Sequence, residues 1–381
     1  MKFFNSPVWA MLAAASVLAA CSRGAGSSSS GLGYEGFNPA QPGAHRLGRG
    51  PSRFTGLMPL VRHPDHHKSW ISPALRSNTS GRTLWASDSG LGDLYIFSLP
   101  SLTLMATMTG YDLPQGMCSD NSGDVWLTNT DTQQIFEYSH GASLINTLSD
   151  PSGFPVGCAW DHKTGNLAVT NIDDDGSAPG GILVYLGATG TPTEYKAPGV
   201  YYYYSDGYNN NSDLFFDGCP DYSECEDDTA VLGELPSNFQ TPFTLTLTGT
   251  VYLPGSVQWY SAGRYLIVGD QDCSGVYNPE TSCLDQVTVS GTTAKVTSST
   301  SLLNSSGAAA CDVDQAVQSG SKVYAGDFEY AVSGDFGCTS SSAPSAWYSW
   351  GYPGGTTPLR SSVPFTSSTV PNGITLSHTH A

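Results

Sequence analysis

Six acidic or amide side chains recur at the ends of short apolar runs: Asp88, Asn129, Asn171, Asp217, Asp270 and Asp327. Oxygens of this kind are what a hard cation such as Ca2+ needs, since it takes about six to eight ligands from carboxylates, amides and carbonyls. The same residue types also cap turns through local hydrogen bonds, and each of the six taken singly fits that simpler role. Asp173, Asp174 and Asp175 form a further carboxylate run open to a cation, without the spacing of an EF-hand loop. Nucleophile and phosphate signatures are missing from the sequence: there is no Gly-x-Ser-x-Gly, no His-Glu-x-x-His and no P-loop. His63, His66 and His67 cluster where no framework fixes their geometry, so they read as solvated linker residues. His140 and His162 fall in turns and are expected to be exposed.

The segments that carry these residues read as strands. Leu84-Trp-Ala-Ser-Asp88, Val125-Trp-Leu-Thr-Asn129, Leu167-Ala-Val-Thr-Asn171, Leu214-Phe-Phe-Asp-Gly218, Leu266-Ile-Val-Gly-Asp270 and Val323-Tyr-Ala-Gly-Asp327 are six copies of one pattern. The first copies lie about forty residues apart and the spacing widens toward the C-terminus, the period of a repeat architecture with growing insertions. A Pro-x-Gly segment precedes several of them, most clearly Pro114-Gln-Gly116 and Pro155-Val-Gly157. Third strands follow at Leu94–Phe97, Gln134–Tyr138 and Ile182–Tyr185, and fourth strands at Leu104–Met108 and Leu144–Leu148. The expected fold is all-β: a six-bladed β-propeller with blades of four antiparallel strands. Apolar residues at consecutive positions fit blades buried on both faces. The ring must close, and Pro371-Asn-Gly373-Ile-Thr-Leu-Ser377 is expected to serve as the innermost strand of the N-terminal blade. Ser69-Trp-Ile-Ser72 competes for that place.

The motif Pro114-x-Gly116…Asp120…Gly123-Asp124-Val125-x-Leu127, with its copy at 155–169, resembles the NHL-repeat and SMP-30-type propellers. The chain lacks the regular Arg-Ile ending of NHL repeats, so the resemblance is to a divergent relative. It implies a divalent-metal lactonase, hydrolase or lyase as one possible activity. Asn129, Asn171 and Asp270 or Asp327 would imitate the metal set, but no matching Glu stands on a first strand. The leading expectation is a binding propeller that is not an enzyme, with a structural envelope protein as a further alternative.

Strand direction in a propeller puts the second-to-third loops of all blades at one end of the disc. The insertions fall in these loops, around Asp173–Asp175, Cys219–Asp228, Asp272–Asp285 and Glu329–Cys338, and all four are acidic. An acidic, insertion-rich face is therefore expected to recognise a protein, glycan or small ligand, with Ca2+ as a possible cofactor. The net charge of −18 argues against nucleic acid and anionic membrane surfaces as partners. Tyr201–Tyr204 and Trp347-Tyr-Ser-Trp350 are expected to pack mostly in the core.

The N-terminus carries Lys2 and an apolar run from Val8 to Ala20, too short to span a membrane comfortably, and reads as an export signal. Leu18-Ala-Ala-Cys21 resembles the lipobox of bacterial lipoproteins, which implies acylation of Cys21, an envelope location at the outer membrane, and membrane contact only through that lipid. The expected organisation is a signal peptide at 1–20, a Gly/Ser/Pro-rich tether at 21–65 and a monomeric propeller at 66–381. Its blades fall at about 66–111 with 371–377, 112–152, 153–198, 199–252, 253–306 and 307–370. Beyond Cys21 there are eight cysteines, an even number suited to disulfides in an exported chain. Cys219–Cys225 and Cys273–Cys283 are the local pairings. Cys118 and Cys158, on opposite pleat faces of consecutive first strands, would face each other. That leaves Cys311–Cys338. Alkylation of the mature chain without reductant, read by mass spectrometry, is expected to leave all eight unlabelled.

Overall fold

The computed structural model describes residues 68–77, 81–174, 178–220, 229–260, 262, 264–273, 281–304, 307–310, 313–327, 346–355, 357–361 and 369–378. Six small sheets follow one another along the chain, which is the six-bladed propeller expected from the repeats. The inner strands are Pro114–Ser119, Pro155–Trp160, Tyr202–Tyr208, Pro254–Tyr260, Ala316–Ser319 and, for the first blade, Pro371–His378. Second strands run Arg82–Asp88, Val125–Asn129, Leu167–Asn171, Leu214–Cys219, Tyr265–Asp270 and Lys322–Asp327, matching the six sequence copies.

Each blade interface has its own apolar cluster, because each second strand divides its side chains between two neighbours. Leu84 packs toward the sixth blade while Trp85 packs toward the second. Val125 and Leu127 face the first blade, and Trp126 faces the third. This explains the unbroken apolar runs: a strand with two buried faces has no polar side. The tyrosine run is core, with Tyr202, Tyr203 and Tyr204 all buried, as are Trp347 and Trp350.

The ring closes through the C-terminus. Pro371–His378 pairs antiparallel with Arg82–Asp88, in the register Leu84↔Leu376 and Ala86↔Ile374. Trp70–Ile71 instead joins the outermost strand of the same blade, with Trp70 opposite Thr107. Thr246–Thr248 does the same for the fifth blade, in parallel with Thr293–Ser301. These two blades therefore have five strands around a four-strand plan, and the extra strands cover outer edges that would otherwise be open.

Glycine decides which segment can lie at the axis. A Cβ on Gly373 would overlap the Gln115 carbonyl, and one on Gly116 would overlap the Val156 carbonyl. Gly157 stands likewise against the Tyr204 carbonyl of the fourth blade. Inner strands are thus packed backbone to backbone, and Trp70 has no room in such a position. Cys118 and Cys158 sit at this closest approach, with Cα atoms 5.6 Å apart, and are bridged. Cys273 and Cys283 are also bridged. Cys219 is disulfide-bonded with a partner beyond the described residues, which exclude Cys21, Cys225, Cys311 and Cys338.

Overpacking of this backbone contact gives a direct test. Gly116→Ala and Gly373→Ala should each cost about 1–3 kcal/mol or more in denaturant unfolding. Gly141→Ala should be nearly neutral, since the nearest atom to its added methyl is Ser139 Oγ at 3.9 Å.

Candidate functional site

The candidate site is the end of the disc where inner strands begin and second strands finish. Proline opens four of the inner strands and brings a difficulty. It has no N–H, so the ladder cannot run through it, and the backbone N–H groups just before it need other acceptors. Strand-end side chains supply them in three of these four blades. Asp88, Asn129, Asn171 and Asp270 stand directly opposite Pro371, Pro114, Pro155 and Pro254. Asp88 Oδ1 accepts the Val370 N–H at 2.8 Å, and also the turn N–H groups of Gly90 and Leu91, both at 3.1 Å. Asn129 Oδ1 accepts the Asp112 N–H at 3.1 Å. Asp270 takes the N–H groups of Tyr252 at 2.9 Å and Leu253 at 3.0 Å. Asn171 donates through Nδ2 to Asp150 Oδ1 at 3.3 Å.

A second bond repeats beside the first. The residue after each strand-end Asp or Asn donates its N–H to the carbonyl preceding the proline, as Ser89 to Val370, Thr130 to Leu113, Ile172 to Phe154 and Gln271 to Leu253. The fourth blade has no such proline, and its Asp217 acts differently. It accepts the Ser205 N–H at 2.8 Å and the Gly255 N–H at 3.0 Å, which joins the inner strands of two blades. Asp327 is fully buried opposite Ala346.

All six strand-end residues are therefore below the surface, and their hydrogen bonds are largely to backbone. They surround the axis without lining it. The axial cavity, about 20 Å³, is walled instead by Gln115, Gln271, Asp314, Gln315, Asn372 and Ser205, with inner-strand glycines and the flanking Val156 and Tyr204. Gln115 and Asn372 are the middle residues of Pro-x-Gly, so the signal for the wall was the x of that motif. Gln271 is one residue past a strand-end Asp.

Elsewhere, Asp270 and Asp285 lie within 4.8 Å of Cys283, whose sulfur is already bridged and offers no thiolate. Asp120, Asp124 and Glu137 gather at the opposite end of the second blade, partly exposed. Asp173 and Asp174 form a short ribbon with Ala178–Pro179, and Asp175 lies outside the described residues, as do His63, His66 and His67. His140 is buried rather than exposed. Its Nδ1 is 2.6 Å from Ser377 Oγ, so the turn that carries it is clamped to the closing strand. His162 stays in its turn, with Nδ1 2.6 Å from Asn121 Oδ1.

Burial pushes the carboxyl groups of this end upward. Asp88 rises from 3.8 to about 7, by desolvation that outweighs its three N–H partners. Asp270 rises to about 6 for the same reason. Burial also lifts Asp217 well above its usual range, with repulsion from Asp206 adding to the effect. Asp206, in the interface with the third blade, rises to about 8, and neither of its oxygens has a hydrogen-bond partner. Among the described residues, no Lys or Arg offsets these upward shifts.

No protein-family model matches this chain, and no curated protein matches its sequence. Solved structures do resemble it. The crystal structure of a nidogen/laminin complex matches with a TM-score of 0.57 and 13% identity, over 78% of this chain and 98% of that one. A protein of unknown function from Bacteroides caccae matches with a TM-score of 0.53 and 13% identity, over 78% of this chain and 99% of that one. At such identities the likeness establishes the propeller fold and nothing about activity.

The pH dependence of stability follows from the upward shifts. Between about pH 4 and the folded value, the native state holds a proton that the unfolded chain has lost. Stability carried by Asp88 is therefore full near pH 4 and falls as pH rises toward about 7. For Asp206 the decline continues to about 8. Thermal unfolding of the wild type should show Tm decreasing from pH 5 to pH 8. Asp88→Asn keeps an Oδ1 acceptor and Asp206→Asn removes a buried charge, so each should flatten that slope.

Proposed function

We propose that this chain is an exported lipoprotein whose propeller is a binding module, with its ligand met on the acidic, insertion-rich end. The observation that carries this is the asymmetry of the disc. The connections at 172–181, 220–230, 271–282 and 328–345 all leave from the end where the inner strands start. Turns at the other end are short, down to the hairpins 291–292 and 320–321. Long loops on a rigid scaffold are where recognition usually resides. The composition of the loops suits a cationic or hydrogen-bonding partner, whether protein, glycan or small molecule.

We infer further that the chain is a divergent relative of the NHL and SMP-30-type propellers. Its Pro-x-Gly openings and Asp-turn-Gly hairpins support this, among them Asp120, whose Oδ1 accepts the Ser122 N–H at 2.7 Å and the Asp124 N–H at 2.8 Å. Acylation at Cys21, with Ser22 after it, would place the propeller on the outer membrane behind a flexible tether.

Both parts are open to test. In cells fed a labelled fatty acid, the wild type should incorporate label and Cys21→Ser should not, with the variant recovered in the soluble envelope fraction. Photo-crosslinkers placed in 220–230 and 271–282 should capture envelope components or glycans, while crosslinkers at 141–143 should not. Equal capture from both ends would remove the binding face. Lactone turnover dependent on added Ca2+, Mg2+ or Zn2+ would replace the binding reading with an enzymatic one.

A further inference from the structure

The outermost strands of the blades differ in what covers them. In the first blade, Thr103–Thr109 carries Trp70–Ile71 on its outer side, antiparallel, with Trp70 opposite Thr107 and Ile71 opposite Ala106. Two further bonds fix that added strand. The Ser72 N–H donates to the Met105 carbonyl at 2.9 Å, and the Thr109 N–H donates to Ser69 Oγ at 3.1 Å. The added strand is therefore received by the outward backbone groups of Met105, Thr107 and Thr109. Met105 is an extra residue in its strand, since Ile96 and Phe97 pair with Ala106 and Leu104.

The second blade repeats this edge without the cover. Its outer strand, Leu144–Ser149, has the same one-residue bulge at Ile145, because Glu137 and Tyr138 pair with Asn146 and Leu144. Ile145, Thr147 and Ser149 thus stand where Met105, Thr107 and Thr109 stand in the first blade. The phase of the ladder agrees. The Asp150 N–H donates inward to the Gln133 carbonyl at 2.8 Å, so the alternate residues 145, 147 and 149 turn their backbone groups outward. Among the described residues, no strand pairs with that side. Two of the outward groups have substitutes for a strand. The Thr147 N–H is held by its neighbour, Asn146 Oδ1, at 2.8 Å, and the Ser149 carbonyl accepts Tyr185 OH of the third blade at 3.0 Å.

The uncovered outer strands of the other blades are shorter: Thr193–Tyr195, Phe243–Thr244 and Pro358–Ser361, the last opening on proline. Leu144–Ser149 has neither proline nor charge, the residues that commonly block edge pairing. Leu144 and Ile145 are 55% and 52% exposed. A groove of about 460 Å³ follows the strand, walled by 146–149 and Pro151 on one side and by 189–192 of the third blade on the other. Four consecutive strand residues line it, so it tracks the backbone and not one pleat face. Its size is that of an ordinary ligand site, and among the described residues no charged side chain lines it.

We propose that the outer edge of the second blade binds an extended, uncharged segment of a partner protein by strand addition. The segment runs antiparallel to Leu144–Ser149, as Trp70–Ile71 does to its own edge. The resident sequence Ser69-Trp-Ile-Ser72 defines the pattern. Carried over by register, the Trp lies opposite Thr147 and the Ile opposite Asn146. The second Ser donates its N–H to the Ile145 carbonyl, and the first accepts the Ser149 N–H. A polypeptide in extended form supplies backbone donors and acceptors at this spacing, and side-chain contacts select its sequence. A slot bounded by the 189–192 connection admits a single strand more readily than the edge of a second propeller. Binding requires Asn146 to release the Thr147 N–H.

The test adds the peptide Ser-Trp-Ile-Ser-Pro, the sequence of residues 69–73 with an amino-terminal diazirine, to the mature full-length protein. Irradiation should attach it at 149–151 and 189–192. Thr147→Pro removes an N–H that the inner ladder does not use, and should cut labelling about tenfold with Tm little changed. Asn146→Ala frees the Thr147 N–H and should strengthen peptide binding about threefold, the opposite of what loss of a merely structural residue would do. The edge is overturned as a site if no label appears there, or if Thr147→Pro labels like the wild type. Label at 109–111, from exchange with the resident strand of the first blade, overturns it as well. A flat or weaker response to Asn146→Ala also overturns it, and decides the matter should Thr147→Pro fail to fold. Sedimentation showing wild-type dimers that Thr147→Pro dissociates would give the edge to a second copy and overturn the partner segment. Capture by the loops at 220–230 and 271–282 should be untouched by Thr147→Pro, so the recognition face and the edge can each fail without the other.

Discussion

The approach of six inner strands to one axis sets the terms for the rest of the molecule. Their backbones pack so closely that the carbonyl of one strand occupies the place of a neighbour's side chain, at Gly116 against Val156 and at Gly373 against Gln115. Glycine is then required for space and not for an unusual backbone angle, since neither position has a positive φ. The same closeness lets side chains clip blades together. Ser87 Oγ donates to the Gln115 carbonyl at 2.6 Å and accepts the Gly373 N–H at 2.8 Å. Thr130 Oγ1 reaches the Pro155 carbonyl at 2.7 Å, and Thr170 Oγ1 the Tyr204 carbonyl at 3.0 Å. The threonine that crosses to the next blade precedes the asparagine in Thr170-Asn171 but follows it in Asn129-Thr130, where Thr128 instead bonds the Gly116 carbonyl of its own blade at 3.3 Å.

The fold was legible because it is written six times. One strand pattern with apolar residues on both faces can be satisfied only between two neighbours, and six copies with a strand-like C-terminus leave a ring as the way to do it. The disulfide between Cys118 and Cys158 could be read from pleat parity, because a one-residue offset from the prolines reverses the face. The outer edge strands were harder to place for an equally physical reason: Ser69-Trp-Ile-Ser72 reads as a rival for the innermost position, and Thr246–Thr248 does not read as a strand. Trp70–Ile71 and Thr246–Thr248 are two- and three-residue pairings held by whatever edge is free, and no periodicity marks them.

The site was harder to read because side-chain type does not reveal direction. Asp and Asn at a strand end look alike whether they face a channel or a backbone. Opposite a proline the backbone has the stronger claim, since its N–H groups would otherwise be buried unpaired. The residues that wall the axial cavity are three glutamines, an asparagine and a serine with a single carboxylate, types that carry little charge and match no catalytic or metal-binding motif. His140 illustrates the same gap. Its turn position suggested exposure, but the closing strand, distant in sequence, covers it through Ser377.

The caps also explain why one end of the disc can carry long acidic connections. Asp270 ends its strand by accepting the Leu253 and Tyr252 N–H groups, so nothing in the following loop is needed to finish the sheet. The loop returns at Cys283, opposite Asp270 in register and bridged to Cys273, and its length is free between those points. At the other end the hairpins complete the ladder themselves. Ser290 pairs directly with Thr293, and an insertion there would break hydrogen bonds that no side chain replaces. Variation in length is therefore cheap on the capped end and costly on the other. The buried carboxyls beneath the caps are pushed toward neutrality, so the negative charge of the loops above is not compounded by a fully ionised ring below.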